Sequence, residues 1–133
     1  MRLYMGTYGK AAVQTALNYD DKVNLREQWT NAISKETTSK SSINKGCPKG
    51  AFLGLCEFGL VKNIPSNDYN AGADNKRHAK ELLALAIENP NITATECFRL
   101  YQKSNNDLPK NHNGQADVVM SLLEANLIRL KNS

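Results

Sequence analysis

The segment Gly46-Cys47-Pro48-Lys49-Gly50 holds the residues with the clearest capacity for chemistry. Cys47 falls at the expected N-cap of a helix, where backbone N–H groups, the helix dipole, Lys45 and Lys49 all favour a thiolate nucleophile. His112 is the conceivable base, but a nucleophile needs its base within hydrogen-bond reach and no spacing argument brings the two together. The plainer reading of Cys47 is a small capping residue. A second polar group, Asn111-His112-Asn113-Gly114-Gln115-Ala116-Asp117, opens the last helical segment. His112, Asn113, Gln115 and Asp117 there can recognise a polar partner, but the plainer reading is a helix start, with Asn111 or Asn113 as cap and Gln115 and Asp117 favouring the first turn. A third group is basic. Lys35, Lys40, Lys45 and Lys49 cluster in and around a Ser/Thr-rich stretch, and lysines beside a helix N-terminus can hold phosphates without reading sequence. A solvated loop kept soluble by its lysines is the alternative.

Composition narrows the classes. The chain has 133 residues, 41% hydrophobic and 23% charged, which fits one globular domain over 1–133. The net charge of +4 lies wholly in residues 1–62, with nine basic and five acidic side chains, whereas 63–133 balances eight against eight. No apolar run is long enough to span a membrane, and the start lacks the apolar core of a secretory signal. Cys47, Cys56 and Cys97 are an odd number without a paired spacing, so reduced thiols in a bacterial-type cytosol are expected, and no zinc site. No dinucleotide, phosphate-loop, zincin or nucleophile-elbow motif occurs, so neither a metal nor a cofactor is expected.

The elements that must position these groups read as helices throughout. Tyr8, Ala12, Val13, Ala16 and Leu17 mark one helical face. Asn24 caps a second helix carrying Leu25, Trp29 and Ile33, and Ala51, Phe52, Leu55 and Cys56 form the face of a third. A helix from about Lys76 ends at Asn89-Pro90, a capping box of Thr93 and Glu96 opens the next, and Val118 to Leu123 lie on the last. Trp29 and Phe98 read as core. Segment 23–29 matches 92–98 at an offset of 69, and 55–61 matches 122–128 at 67. The expected fold is therefore all-α, with two related three-helix units, about 6–65 and 73–130, joined through their third helices. Gly46, Gly50 and Gly54 recur every four residues along the third helix. Each interior glycine costs about 1 kcal/mol against alanine, so a close helix approach is expected there.

The order of helix, capped helix and third helix resembles helix-turn-helix DNA-binding domains, although the loops are long and no wing follows. Lys45-Gly46-Cys47-Pro48-Lys49-Gly50-Ala51-Phe52-Leu53-Gly54-Leu55-Cys56-Glu57, then Gly59-Leu60-Val61-Lys62, resembles the signature of a family of small uncharacterised bacterial proteins. Tyr8 to Ala12, His112-Asn113, Gln115 and Asp117 to Val119 are similar to that family too. The resemblance implies a domain of unknown function, in some members carried on integron or other mobile gene cassettes, and a small cytoplasmic accessory protein. It supplies no catalytic residue. The expected function is a non-enzymatic binding module with weak nucleic-acid binding through the lysine-rich loop. A protein-interaction module is the alternative, and a cysteine enzyme using Cys47 the third.

Overall fold

The computed structural model describes residues 5–105 and 114–130. Seven helices occur among them: α1 (Thr7–Leu17), α2 (Leu25–Glu36), α3 (Lys40–Ile43), α4 (Gly46–Glu57), α5 (Ala73–Glu88), α6 (Ala94–Lys103) and α7 (Gln115–Glu124). The class is all-α, with no named strand among the described residues. Local chemistry sets most boundaries. The Asn24 side chain accepts from the N–H groups of Arg26 (2.8 Å) and Glu27 (3.4 Å), which starts α2. Thr93 and Glu96 close a reciprocal capping box at 3.1 and 3.0 Å, which starts α6. Asn89 ends α5 just before Pro90. Two boundaries differ from expectation. α5 starts at Ala73 rather than near Lys76, and the Ser/Thr/Lys stretch contains the short helix α3, capped by Ser39.

At the centre lies α4, buried from Gly50 to Cys56. Trp29 of α2 stacks on its Phe52 with ring centroids 5.4 Å apart, and Phe98 is equally buried. The principal helix interfaces are α4 with α5, α1 with α7, and α1 with α2, and α4 also meets α7. The first helix of each half therefore packs on the third helix of the other half, in addition to the expected meeting of third helices.

α4 and α7 end in the same way. Gly59 (φ 73°) and Asn126 (φ 61°) take the left-handed conformation that stops each helix. The N–H of Leu60 then donates to Leu55 O (3.0 Å), and that of Leu127 to Leu122 O (2.9 Å). The two tails meet in an antiparallel bridge, Val61 with Ile128. Lys62 N–H donates to Leu127 O and Arg129 N–H to Leu60 O, each at 2.7 Å, a reciprocal pair related by the same 67-residue offset.

Candidate functional site

The basic group is carried by three consecutive elements. Lys35 lies in the last turn of α2, Lys40 begins α3, Lys45 is the N-cap of α4, and Lys49 is in its first turn. Lys35 and Lys40 are exposed, and Lys45 and Lys49 are half-buried. Among the described residues, no carboxylate lies within 4 Å of any of the four ammonium groups. The Lys45 ammonium stands 5.7 Å from the centre of the Tyr8 ring, which draws α1 towards the start of α4.

This end of α4 is electrostatically open. Its N-cap makes no side-chain hydrogen bond and its first turn has no acidic residue. A side chain added at Gly46 would meet nothing within 4 Å, so this helix start faces open space. A cleft of about 310 Å³ adjoins it, with Tyr8, Lys45, Thr95, Gly114 and Asp117 in its walls. The first residues of α1 and α6 and the N-caps of α4 and α7 border that cleft, so the starts of four helices meet there around the Asp117 carboxylate.

The other candidate residues are placed differently. Cys47 is the second residue of α4, not its cap, because Lys45 holds that position. It is a half-buried free thiol. Its conceivable base, His112, and Asn113 lie outside the described residues. Burial pushes the thiols of Cys56 and Cys97 up, that of Cys97 to about 11. No cluster of three or more potential metal ligands occurs among the described residues. No helix among them is long and apolar enough to cross a membrane.

Gln115 and Asp117 serve the interior. Gln115 is 1% exposed, and its Nε2 donates to Asn75 Oδ1 at 2.7 Å. Asp117 accepts from the N–H groups of Gly6 (2.9 Å) and Gly9 (2.7 Å), so a residue of α7 caps α1. α7 itself begins at Gly114 (φ 90°), with no side-chain cap. Of the three α4 glycines, Gly50 and Gly54 sit against α5. Added Cβ atoms there would come within 2.8 Å of Asn75 and of the Lys76 Cα. Gly46 has no such neighbour.

Sequence reasoning did not find three arrangements. His78 Nδ1 lies 2.6 Å from the Tyr101 hydroxyl inside the core. Gly9 allows Asp117 and Ser121 to approach α1, since a Cβ there would clash with both. Glu57 is enclosed by Lys76 and by the backbone of the segment before α5. Only the small residues near the start of α1 were a visible signal; the other two are long-range pairings that spacing does not encode.

The helix-turn-helix likeness extends to order and not to the use of α4. A recognition helix needs one face free to enter a groove. The face of α4 bearing Phe52, Leu55 and Cys56 is buried, and Gly50, Leu53 and Gly54 are buried too. No curated protein and no solved structure matches this chain. A match to one family covers residues 5–129, and by it the chain belongs to the family of unknown function DUF6979.

Proposed function

We propose that this chain is a non-enzymatic binding module that holds nucleic-acid phosphates weakly at the lysine-bearing start of α4. One observation carries the reading. Among the described helices of ten residues or more, only α4 has no anion or side-chain cap at its N-terminus. Asn24 serves α2, Asp74 α5 and the Thr93–Glu96 box α6, while Asp117 serves both α1 and α7. Lys45 at the cap and Lys49 in the first turn stand at the exception, with no ion pair among the described residues, while Lys40 opens α3 just before it in the chain and Lys35 lines a separate cleft between α1 and α2. Phosphate oxygens suit both features, because backbone N–H groups and lysines both donate to anions. With the buried face of α4 withheld, binding is to the backbone of the nucleic acid and carries little sequence preference.

The finer parts of the reading have their own support. The matched helix ends and the reciprocal bridge support descent of the chain from two copies of a three-helix unit. Three cysteines without a disulfide suit a reducing bacterial cytosol and an accessory protein of the kind mobile cassettes carry. The protein-interaction alternative has less support, since Gln115 and Asp117 are occupied internally. So has the Cys47 enzyme, since the described histidine, His78, faces Tyr101.

Fluorescence anisotropy of labelled duplex and single-stranded DNA at two salt concentrations tests the proposal. Binding should weaken with a log–log salt slope no steeper than about −4, given four lysines at about −0.9 each on duplex DNA. The combined substitution Lys40→Ala, Lys45→Ala and Lys49→Ala should abolish it. Absence of binding at low salt removes the nucleic-acid reading.

A further inference from the structure

Glu57 and Glu124 are the last residues of α4 and α7, 67 positions apart, at the matched helix ends described above. A carboxylate at a helix C-terminus faces the negative end of the dipole and needs a cation or hydrogen-bond donors beside it. Glu57 has both. Its Oε1 accepts from the Lys76 ammonium at 2.9 Å, and its Oε2 accepts from the N–H groups of Tyr69 (3.1 Å) and Ala71 (2.8 Å). Glu124 has none of these. Its Oε2 is buried without a hydrogen-bond partner, and among the described residues no cation stands within 4 Å of its carboxylate.

The position that lacks a cation opens on a groove. About 590 Å³ of space lies between α7 and the turn joining α5 to α6. Ala86, Ile92, Met120 and Leu123 supply apolar wall, and among the described residues Asp117 and Glu124 are the charged ones in it and no Lys, Arg or His lines it. Asp117 is already engaged by the N–H groups of α1, which leaves Glu124 as the charge without a counterpart. The two lie seven residues apart on α7, about 10 Å at 1.5 Å per residue, with Met120 and Leu123 between them. Acidic lining in a protein of net charge +4 selects against anions and for cations.

We infer that this groove is a binding site for a small molecule carrying one ammonium group on an apolar body, an alkylamine or arylalkylamine. The ammonium pairs with Glu124 as Lys76 pairs with Glu57, and the apolar body lies along Met120, Leu123 and Ile92. The volume is within the usual range for small-ligand sites. This groove adjoins the cleft at the start of α4, with Asp117 and Ala94 in the walls of both, but its ligand pairs with Glu124, and its test does not depend on nucleic-acid binding.

The probes are 4-phenylbutylamine, its uncharged counterpart 4-phenylbutanol, and a capped tripeptide bearing one lysine. Each is titrated into the full chain carrying ¹³C-methyl methionine, with the Met120 methyl resonance as readout. The amine should shift that resonance saturably and bind about tenfold more tightly than the alcohol, the gain of one partly desolvated ion pair. Glu124→Gln should remove that advantage and leave alcohol binding unchanged. The amine–alcohol comparison in the unmodified protein stands even where the variant folds poorly. Equal affinity of amine and alcohol, or an unmoved Met120 resonance, overturns the inference. Tighter binding of the tripeptide than of the amine also overturns it, by assigning the groove to a protein partner.

Discussion

At the scale of single residues, two α4 positions and one carboxylate give the sharpest expectations. A Cβ at Gly54 would lie 2.8 Å from the backbone Cα of Lys76, an atom that moves only if α5 moves. Gly54→Ala should therefore destabilise by about 1–3 kcal/mol in chemical denaturation, as overpacking of a tight interface does. Gly46→Ala meets open space and should be neutral or slightly stabilising, so the pair separates close packing from helix propensity. Glu57 adds a pH dependence. Burial pushes its carboxyl up, but the Ala71 N–H, the Lys76 ammonium and the Tyr69 N–H outweigh this and hold it below its ordinary value. A group lowered in this way stabilises the fold above its unfolded pKa, and the contribution is lost as pH falls through the folded value. The loss should therefore set in below about pH 4.3, the unfolded value for glutamate. Glu57→Gln should cost about 1.5–3 kcal/mol at neutral pH, the range for hydrogen bonds to a charged group. It should also flatten the acid limb of stability against pH. Glu96, lowered first by its bonds with Thr93, titrates in both proteins and drops out of the comparison.

At the scale of elements, the dependence of α1 on a distant helix is the feature to test. Gly6 offers no side-chain cap, and the carboxylate of Asp117, more than a hundred residues away in sequence, takes its place. Asp117→Ala should cost about 0.5–2 kcal/mol, the usual range for a lost cap. Amide hydrogen exchange should rise first in α1, ahead of α2, which keeps Asn24. Exchange that rises equally in both would mean that the carboxylate supports the whole bundle rather than one helix start. The same contrast explains what was legible in the sequence. Asn24 and the Thr93–Glu96 box cap helices a few residues away, so spacing alone revealed them. Apolar periodicity likewise gave the all-α class and the burial of Trp29 and Phe98, because those follow from local repeats. Asp117 read as a first-turn or recognition group of its own helix because its N–H donors are at the start of another helix. The pairing of Gln115 was hidden for the same reason, its partner Asn75 being 40 positions away. The lysines were legible as a cluster, but their lack of ion pairs among the described residues is a property of the packed chain.

At the scale of the whole molecule, the exchange of first helices decides whether either half is a folding unit. α1 packs on α7 and α5 on α4, so separating the halves strips α4 and α7 of those partners. Each half would then expose much of the apolar surface of its central helix, and a fragment of that size has little core to spare. The segment around Asn67 is exposed and lies between α4 and α5, which makes it the natural place to divide the chain. Fragments 1–67 and 68–133 should each show little helical circular dichroism alone. An equimolar mixture at micromolar concentration should regain most of the helical signal, because the interlocked interfaces re-form without the covalent link. Its melting temperature should rise with protein concentration, as association linked to folding requires. If either fragment is helical and melts cooperatively alone, the halves are independent units that merely dock, and the exchanged packing adds little to stability. Recovery only on mixing would mean that the bundle exists through contacts between the halves. In that case the cleft at the start of α4 would be lost whenever the halves part, since it draws walls from both sides of the division, and the groove beside Glu124, walled by the second half alone, would fail only as that half unfolds.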